Sequence, residues 1–241
     1  MTVKKVIERK GKRFLWSSGD LNTNYGIVKE VELKSKKSEV VSSTGKTFNV
    51  LSANFNDSIK KLKRGPQAMM LKDISYIIFK TGIDAKSKVV EAGTGSGFLT
   101  SYLANYGGKI TSYDVSKDNQ EIARKNLISL GLKVEFKIGD VIENIKEKNQ
   151  DVVVLDLPNS DKAVENAYDA LKVGGYLVGY LPNMTQVVEF VKEAEKCFDV
   201  EEVLDIMHVP WLVTGLKAKP QPRDMLHTAF LVFARKVSDK F

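Results

Sequence analysis

The chain is short of the residues that build cross-links and metal cages. Its 241 residues include one cysteine, Cys197, and two histidines, His208 and His227. One thiol closes no disulfide framework, and two imidazoles make a poor metal site. The expectation is a cytoplasmic protein without a metal. Long apolar runs are also missing, and none reaches the length of a membrane span. The N-terminal stretch MTVKKVIERKGKRFLW is basic but has no apolar segment behind it, so it does not read as a secretory signal. No repeat or low-complexity tract is present.

Charge is plentiful and uneven. Residues 1–64 hold 15 Lys and Arg against 6 Asp and Glu, a net of +9, whereas residues 65–241 hold 22 against 24, a net of −2. A basic first quarter points to a polyanion, with nucleic acid ahead of a membrane surface.

Two rhythms divide the chain. Residues 1–55 read as short strands (KRFLW, YGIVKEVEL, SEVVSS and TFNVLSA) separated by Ser18-Gly19, Asn24-Tyr25-Gly26 and Thr44-Gly45. This predicts a small β domain over 1–62, with a link beginning near Asp57. Residues 63–241 form the second domain. There the pattern alternates between strand and helix. Helices are expected at 73–81, 99–106, 117–130, 161–171 and 185–197. Strands are expected at 88–91, 109–114, 134–138, 151–156 and 176–180. Two late strands, 200–207 and 226–234, have no helix-length segment between them, so the last should insert antiparallel. This layout resembles that of the Rossmann-like methyltransferases, an α/β fold.

The stretch EAGTGSGFLT, Glu91 to Thr100, is a glycine-rich turn between a strand and a helix. Its spacing is G-x-G-x-G, through Gly93, Gly95 and Gly97. The dinucleotide fingerprint G-x-G-x-x-G would need glycine at 98, which is Phe. No lysine is present to meet a phosphate, so a P-loop is excluded too. The helix N-terminus at Gly97–Phe98 offers N–H groups to an anion, and Glu91 suits a cation. S-adenosylmethionine carries a carboxylate, an ammonium and a sulfonium, and so fits both. Asp114 ends the second strand of the alternating region, where a carboxylate can take two ribose hydroxyls. Asp140 either contacts the cofactor near its adenine or caps a helix starting at Val141. Asp156 ends the fourth strand in VVVLDLP, at the ligand crevice of open α/β sheets, and Pro158 stiffens the turn after it.

These residues resemble the tRNA (adenine-58-N1)-methyltransferases of the TrmI type. RGPQAMMLKDISYII matches that family's Arg-x-x-Gln…Lys-Asp stretch. EAGTGSGFLT is close to its first motif, DLP to the start of its fourth, and HTAFLVFARK (His227 to Lys236) to its closing strand. The resemblance covers nearly the whole chain. It implies a class I methyltransferase fold with a seven-stranded, mostly parallel sheet, a homotetramer, and tRNA as partner. The activity implied is methyl transfer from S-adenosylmethionine to N1 of adenine 58 in the TΨC loop, with adenine 57 as a second candidate. The implied cofactor pocket comprises Gln67, Met70, Glu91, Gly93, Gly95, Ser96, Gly97, Phe98, Leu99, Asp114, Val115, Asn119, Asp140, Val141 and Asp156. Asp156 is the implied catalytic residue, accepting a hydrogen bond from the adenine amino group.

The chain departs from the family in two places. Asn159-Ser160-Asp161 follows DLP where the family has a tryptophan nearby, so an aromatic base platform would fall to Trp211 or Tyr180. Met70 stands where the family often has Tyr. Lys4, Lys5, Arg9, Lys10, Lys12, Arg13 and the loop Lys217–Arg223 are candidates for the RNA grip. His227 reads as a local hydrogen-bonding or RNA-contacting residue and His208 as structural. Trp16 and Trp211 read as core or interface. The rival readings are a small-molecule (precorrin-type) methyltransferase and a non-catalytic tRNA-binding subunit.

Overall fold

The structure is a computed structural model that describes residues 2–65, 68–221 and 227–238. The chain divides into two compact units, Met1–Lys63 with Ile128–Gly131, and Arg64–Leu127 with Leu132–Phe241.

The first unit contains β1 (Lys5–Arg9), β2 (Lys12–Trp16), β3 (Leu21–Thr23), β4 (Gly26–Val28), α1 (Glu30–Lys34), β5 (Glu39–Val41), β6 (Thr47–Ser52) and α2 (Phe55–Ile59). An antiparallel sheet of order β2-β1-β6-β5 buries Ile7, Trp16, Val40 and Phe48 with Val28 and Leu33. The expected strands at 12–16, 39–41 and 47–52 are present. Two features differ from expectation. β1 carries no strand signature in the sequence because Val6 and Ile7, adjacent in sequence, are both buried, which breaks the alternation of a half-buried strand. KEVEL forms α1 rather than a strand. The Asp20 carboxylate accepts the Glu30 N–H at 2.8 Å and so caps the helix from a distance, while Val31 is left 75% exposed.

The second unit contains α3 (Leu71–Thr81), β7 (Lys88–Ala92), α4 (Phe98–Asn105), β8 (Lys109–Asp114), α5 (Lys117–Leu130, its last three residues belonging to the first unit), β9 (Glu135–Ile138), β10 (Gln150–Leu155), a 3-10 turn (Ser160–Ala163), α6 (Val164–Ala170), β11 (Leu171–Leu181), α7 (Met184–Ala194), β12 (Asp199–Asp205), β13 (Trp211–Thr214), β14 (Lys217–Pro220) and β15 (Phe230–Arg235). The sheet order is β12-β15-β11-β10-β7-β8-β9. β15 runs antiparallel to both β11 and β12, and β7 to β11 are mutually parallel. This is the seven-stranded Rossmann-like methyltransferase sheet, with the inserted last strand where the sequence placed it. Because β12 is antiparallel to β15, it follows the direction of the main set, so only β15 is reversed.

The helices α6 and α7 cover one face, where Leu155, Leu177, Leu181, Phe190 and Val232 are buried together. α3 lies on the other face, its Tyr76 ring against Phe233. Of the loop expected at Lys217–Arg223, residues 217–220 form strand β14 of the hairpin β13–β14 instead. It turns at Gly215, whose φ is +58°, and all eight of its strand residues are exposed, so no polar–apolar alternation marks it. No helix among the described residues is long and apolar enough to cross a membrane.

Candidate active site

Strand order reverses direction about β7 and β10, which pair in parallel. Ligands of open α/β sheets sit outside the carboxyl ends of strands at such a point. A cavity of about 350 Å³ lies there, within the usual range for small-molecule sites. The expected residues Gly93, Gly95, Ser96, Asp114, Val115, Asn119, Asp140, Val141 and Asp156 all line it.

The three loop glycines serve different ends. All have positive φ, +98°, +51° and +78° at Gly93, Gly95 and Gly97. A Cβ on Gly93 would lie 1.9 Å from the Asp156 carbonyl oxygen, so the loop touches the backbone of β10's end. A Cβ on Gly97 would strike Leu127 and Ala123 of α5, at 2.9 and 3.0 Å. At Gly95 a Cβ would meet only the Gly93 carbonyl oxygen, at 3.9 Å. Packing therefore demands glycine at 93 and 97. At 95 the bare backbone borders open cavity, as a closely approaching ligand requires.

Asp114 closes one side. Its carboxylate accepts the Gly95 N–H at 2.9 Å, the Ser116 N–H at 2.8 Å and the Asn119 amide at 3.3 Å. A carboxylate has about four acceptor sites, so one remains for a ligand hydroxyl. The Tyr113 ring lines the cavity beside it, its hydroxyl donating to Glu147 at 2.7 Å. Burial, then the Glu147 carboxylate, push that phenol up to about 12. Asp140 accepts the Ile142 N–H at 2.9 Å and caps a turn over 141–143; no helix begins at Val141.

Asp156 is half-buried at the mouth, its N–H held by the Ala92 carbonyl at 2.8 Å. Its carboxyl has no hydrogen-bond partner among the described residues, and burial alone pushes it up to about 7.

Some expected residues lie away from the cavity wall. Glu91 is 1% exposed and accepts the Ser112 hydroxyl at 2.9 Å, and Ser112 is paired in turn with Thr94. Side chains of a strand alternate between faces, and Glu91 points under the loop instead of into the cleft. Gly97 caps α4, while Phe98 and Leu99 are buried on it, Phe98 beneath the Arg64 guanidinium at 4.9 Å. Met70 caps α3 and is exposed. Gln67 lies outside the described residues, as does Arg223. Gly65, Ala92, Tyr113, Ser116, Ile122, Gly139, Leu157 and Pro158 complete the lining. Tyr113 and Ser116 could have been found from their places beside Asp114. Gly65 and Ile122 carry no local signal.

The parallel sheet with one inserted antiparallel strand, the G-x-G-x-G turn and acids ending β8 and β10 define a Rossmann-like methyltransferase. Residues 58–215 match the family described as the tRNA methyltransferase complex GCD14 subunit. The chain is 36% identical to the tRNA (adenine(57)-N(1)/adenine(58)-N(1))-methyltransferase TrmI of Methanocaldococcus jannaschii, over 96% of this chain and 94% of the relative. The tRNA (m1A58) methyltransferase TrmI of Aquifex aeolicus superposes with a TM-score of 0.82 at 25% identity, covering 98% and 97% of the two chains. A SAM-dependent O-methyltransferase from Thermotoga maritima gives 0.87 at 26% identity, covering 99% and 94%. The chain belongs to the tRNA (adenine-N1)-methyltransferase family of the TrmI type.

Proposed function

We propose that the cavity holds S-adenosylmethionine and that Asp156 presents its carboxyl to the adenine being methylated. The chain is an S-adenosylmethionine-dependent enzyme that methylates N1 of adenine 58 in tRNA. Residue by residue, the cavity suits that cofactor. Asp114 retains an acceptor site for a ribose hydroxyl, Gly95 leaves room for close approach, and the start of α4 offers N–H groups to a carboxylate. When bound, the cofactor supplies an electrophilic methyl group on a good leaving group.

Adenine N1 has an in-plane lone pair, so no strong base is needed to expose it. Alkylation there places positive charge on the ring and acidifies the exocyclic amino group. A carboxylate accepting a hydrogen bond from that amino group stabilises the growing charge and rejects bases without it. The Asp156 carboxyl at the cavity mouth, without a hydrogen-bond partner among the described residues, is the observation that carries this reading.

The target base is unstacked from the tRNA core to reach such a cleft. Support for an RNA grip comes from Lys4, Lys10, Lys12 and Arg13, which are exposed on the basic first unit. Lys5 and Arg9 are committed locally, Lys5 to the Ser35 carbonyl and Arg9 to the Thr47 carbonyl and the Tyr25 and Phe48 rings. A homotetramer is supported by the exposed Trp211, Leu212, Val213 and Leu216 of the β13–β14 hairpin, which a second copy would cover.

Mapping methylated adenines in tRNA treated with the purified protein tests the function. Methyl groups at N1 of adenine 58 are expected, and the same map shows whether adenine 57 is modified. Methylation confined to another base would overturn the reading.

A further inference from the structure

Behind Asp156 lies a buried polar cluster joining elements far apart in the chain. Asp73, in the first turn of α3, is fully buried. One carboxylate oxygen accepts the Lys72 ammonium at 2.8 Å. The other accepts the Thr228 hydroxyl at 2.8 Å and the Tyr180 hydroxyl at 3.4 Å. Lys72 also donates to the Thr228 oxygen at 2.7 Å. The Lys72 and Asp73 side chains are only 9% and 0% exposed.

Such a cluster is a poor way to gain stability. Desolvating a lysine and an aspartate costs about what their attraction returns, and apolar residues would serve as well. A closed ring of charge-assisted hydrogen bonds does fix direction. What it directs is Tyr180. Leu155 of β10 pairs with Gly179 of β11, so Asp156 and Tyr180 are the next residues along parallel neighbours. Leu155, Leu177 and Leu181 point into the core under α6 and α7. Alternation therefore sends Asp156 and Tyr180 to the opposite face, that of α3. Burial and the carboxylates of Asp73 and Asp156 push the Tyr180 phenol well above its ordinary range, so it stays a neutral donor.

Resting on the proposed role of Asp156, we infer that Lys72, Asp73 and Thr228 are positioning residues that clamp the Tyr180 phenol beside Asp156 as a fixed aromatic wall of the base slot. This supplies on β11 the aromatic platform that the Asn159-Ser160-Asp161 sequence lacks. It also gives Tyr180 a fixed orientation without spending its hydroxyl on the base.

The test is a double-mutant cycle on the full chain, with tRNA and S-adenosylmethionine as substrates. Thr228→Val breaks the ring without changing side-chain volume. We expect kcat to fall about tenfold with the cofactor Kd unchanged, since misplacing a group by an ångström costs ten- to a hundredfold. Thr228→Ser restores most of the loss. In Tyr180→Phe, whose ring is no longer anchored, adding Thr228→Val lowers kcat no further. Asp73→Asn gives a second cycle with the same expected non-additivity should Thr228→Val fold poorly, and melting temperatures are measured for every variant. Full additivity in either cycle, or wild-type kcat in folded Thr228→Val, overturns the inference. Failure of the underlying reading shows differently, as a wild-type protein that leaves adenine N1 unmethylated.

Discussion

Two carboxyls on neighbouring strands of the same sheet have opposite surroundings. Glu91 on β7 pairs in register with Val154, two residues before Asp156 at the end of β10. Glu91 is sealed, hydrogen-bonded by Ser112 and pushed up to about 8, first by burial and then by the nearby charge of Asp156, against the opposing pull of its hydrogen bonds. Asp156 is half-open, has no hydrogen-bond partner among the described residues, and is pushed up to about 7 by burial alone. Buried polar groups are normally satisfied, so a satisfied one is architecture and an unsatisfied one at a cleft mouth is a candidate for chemistry. Glu91 holds the strand under the glycine loop, whereas the role proposed for Asp156 gives it a partner that arrives with the substrate.

The sharpest way to break this contrast is to remove each group. Asp156→Ala is expected to lower turnover on tRNA by on the order of a hundredfold, the usual loss for one preorganised charge-stabilising group. The cofactor Kd should change little and the melting temperature should hold or rise, because a half-buried carboxyl without a partner among the described residues is a cost to the fold. Wild-type turnover in this variant sinks the catalytic assignment. Glu91→Ala inverts the pattern. It leaves the Ser112 hydroxyl without its acceptor and opens a void, and about 2–3 kcal/mol of stability should be lost in denaturant titration. Glu91→Gln, which copies the neutral acid that burial favours at pH 7, should keep most of both stability and turnover.

The pH dependence follows from the same pair. A carboxyl whose folded value is raised binds its proton more tightly in the native state, so its contribution is complete below the unfolded value and is lost as pH rises through the folded one. For Asp156 that window runs from the ordinary carboxylate range to about 7, and for Glu91 to about 8. Each proton contributes a slope of about 1.4 kcal/mol per pH unit within its window. Stability should therefore fall from pH 5 to pH 7 with both groups contributing, and the slope should be about halved in Asp156→Asn. Turnover moves the other way, rising as Asp156 ionises toward about pH 7 and then levelling. An Asp156→Asn protein with an unchanged stability slope would place the titration elsewhere.

The same contrast marks what was legible in the sequence. Gly93, Gly95, Asp114 and Asp156 sit at strand ends, where a local pattern of apolar run, turn and acid fixes their place, and all four line the cavity. The inserted β15 was legible because no helix-length segment separates it from β12. Glu91 shows where a motif misleads. The acid is in the expected position, but the strand's alternation turns its side chain under the loop. The ring of Lys72, Asp73, Thr228 and Tyr180 was illegible because, apart from the bond between the adjacent Lys72 and Asp73, its hydrogen bonds span 107 to 156 residues, and only the completed sheet brings them together. α1 was lost for a related reason, since its cap, Asp20, comes from ten residues upstream.

His227 provides the smallest test and a control on the carboxyls. Its Nδ1 lies 3.0 Å from Asp205 and its Nε2 3.2 Å from the Pro182 carbonyl oxygen, so both ring nitrogens face acceptors and the doubly protonated ring is favoured. The Asp205 hydrogen bond, then that of Pro182, raise its titration above the ordinary histidine range. The sign matches that of the carboxyls: the stabilisation is complete below about pH 6.5 and is lost as pH rises through the raised value. The two side chains are 40% and 26% exposed, so solvent screens the pair and it is worth about 0.5 kcal/mol. Salt separates the contributions. Raising ionic strength should erase the small difference between wild type and His227→Gln at pH 6, while the larger slope from Asp156 and Glu91, set by burial, persists. If salt flattens the whole profile, exposed ion pairs rather than the carboxyls of Glu91 and Asp156 govern the pH response.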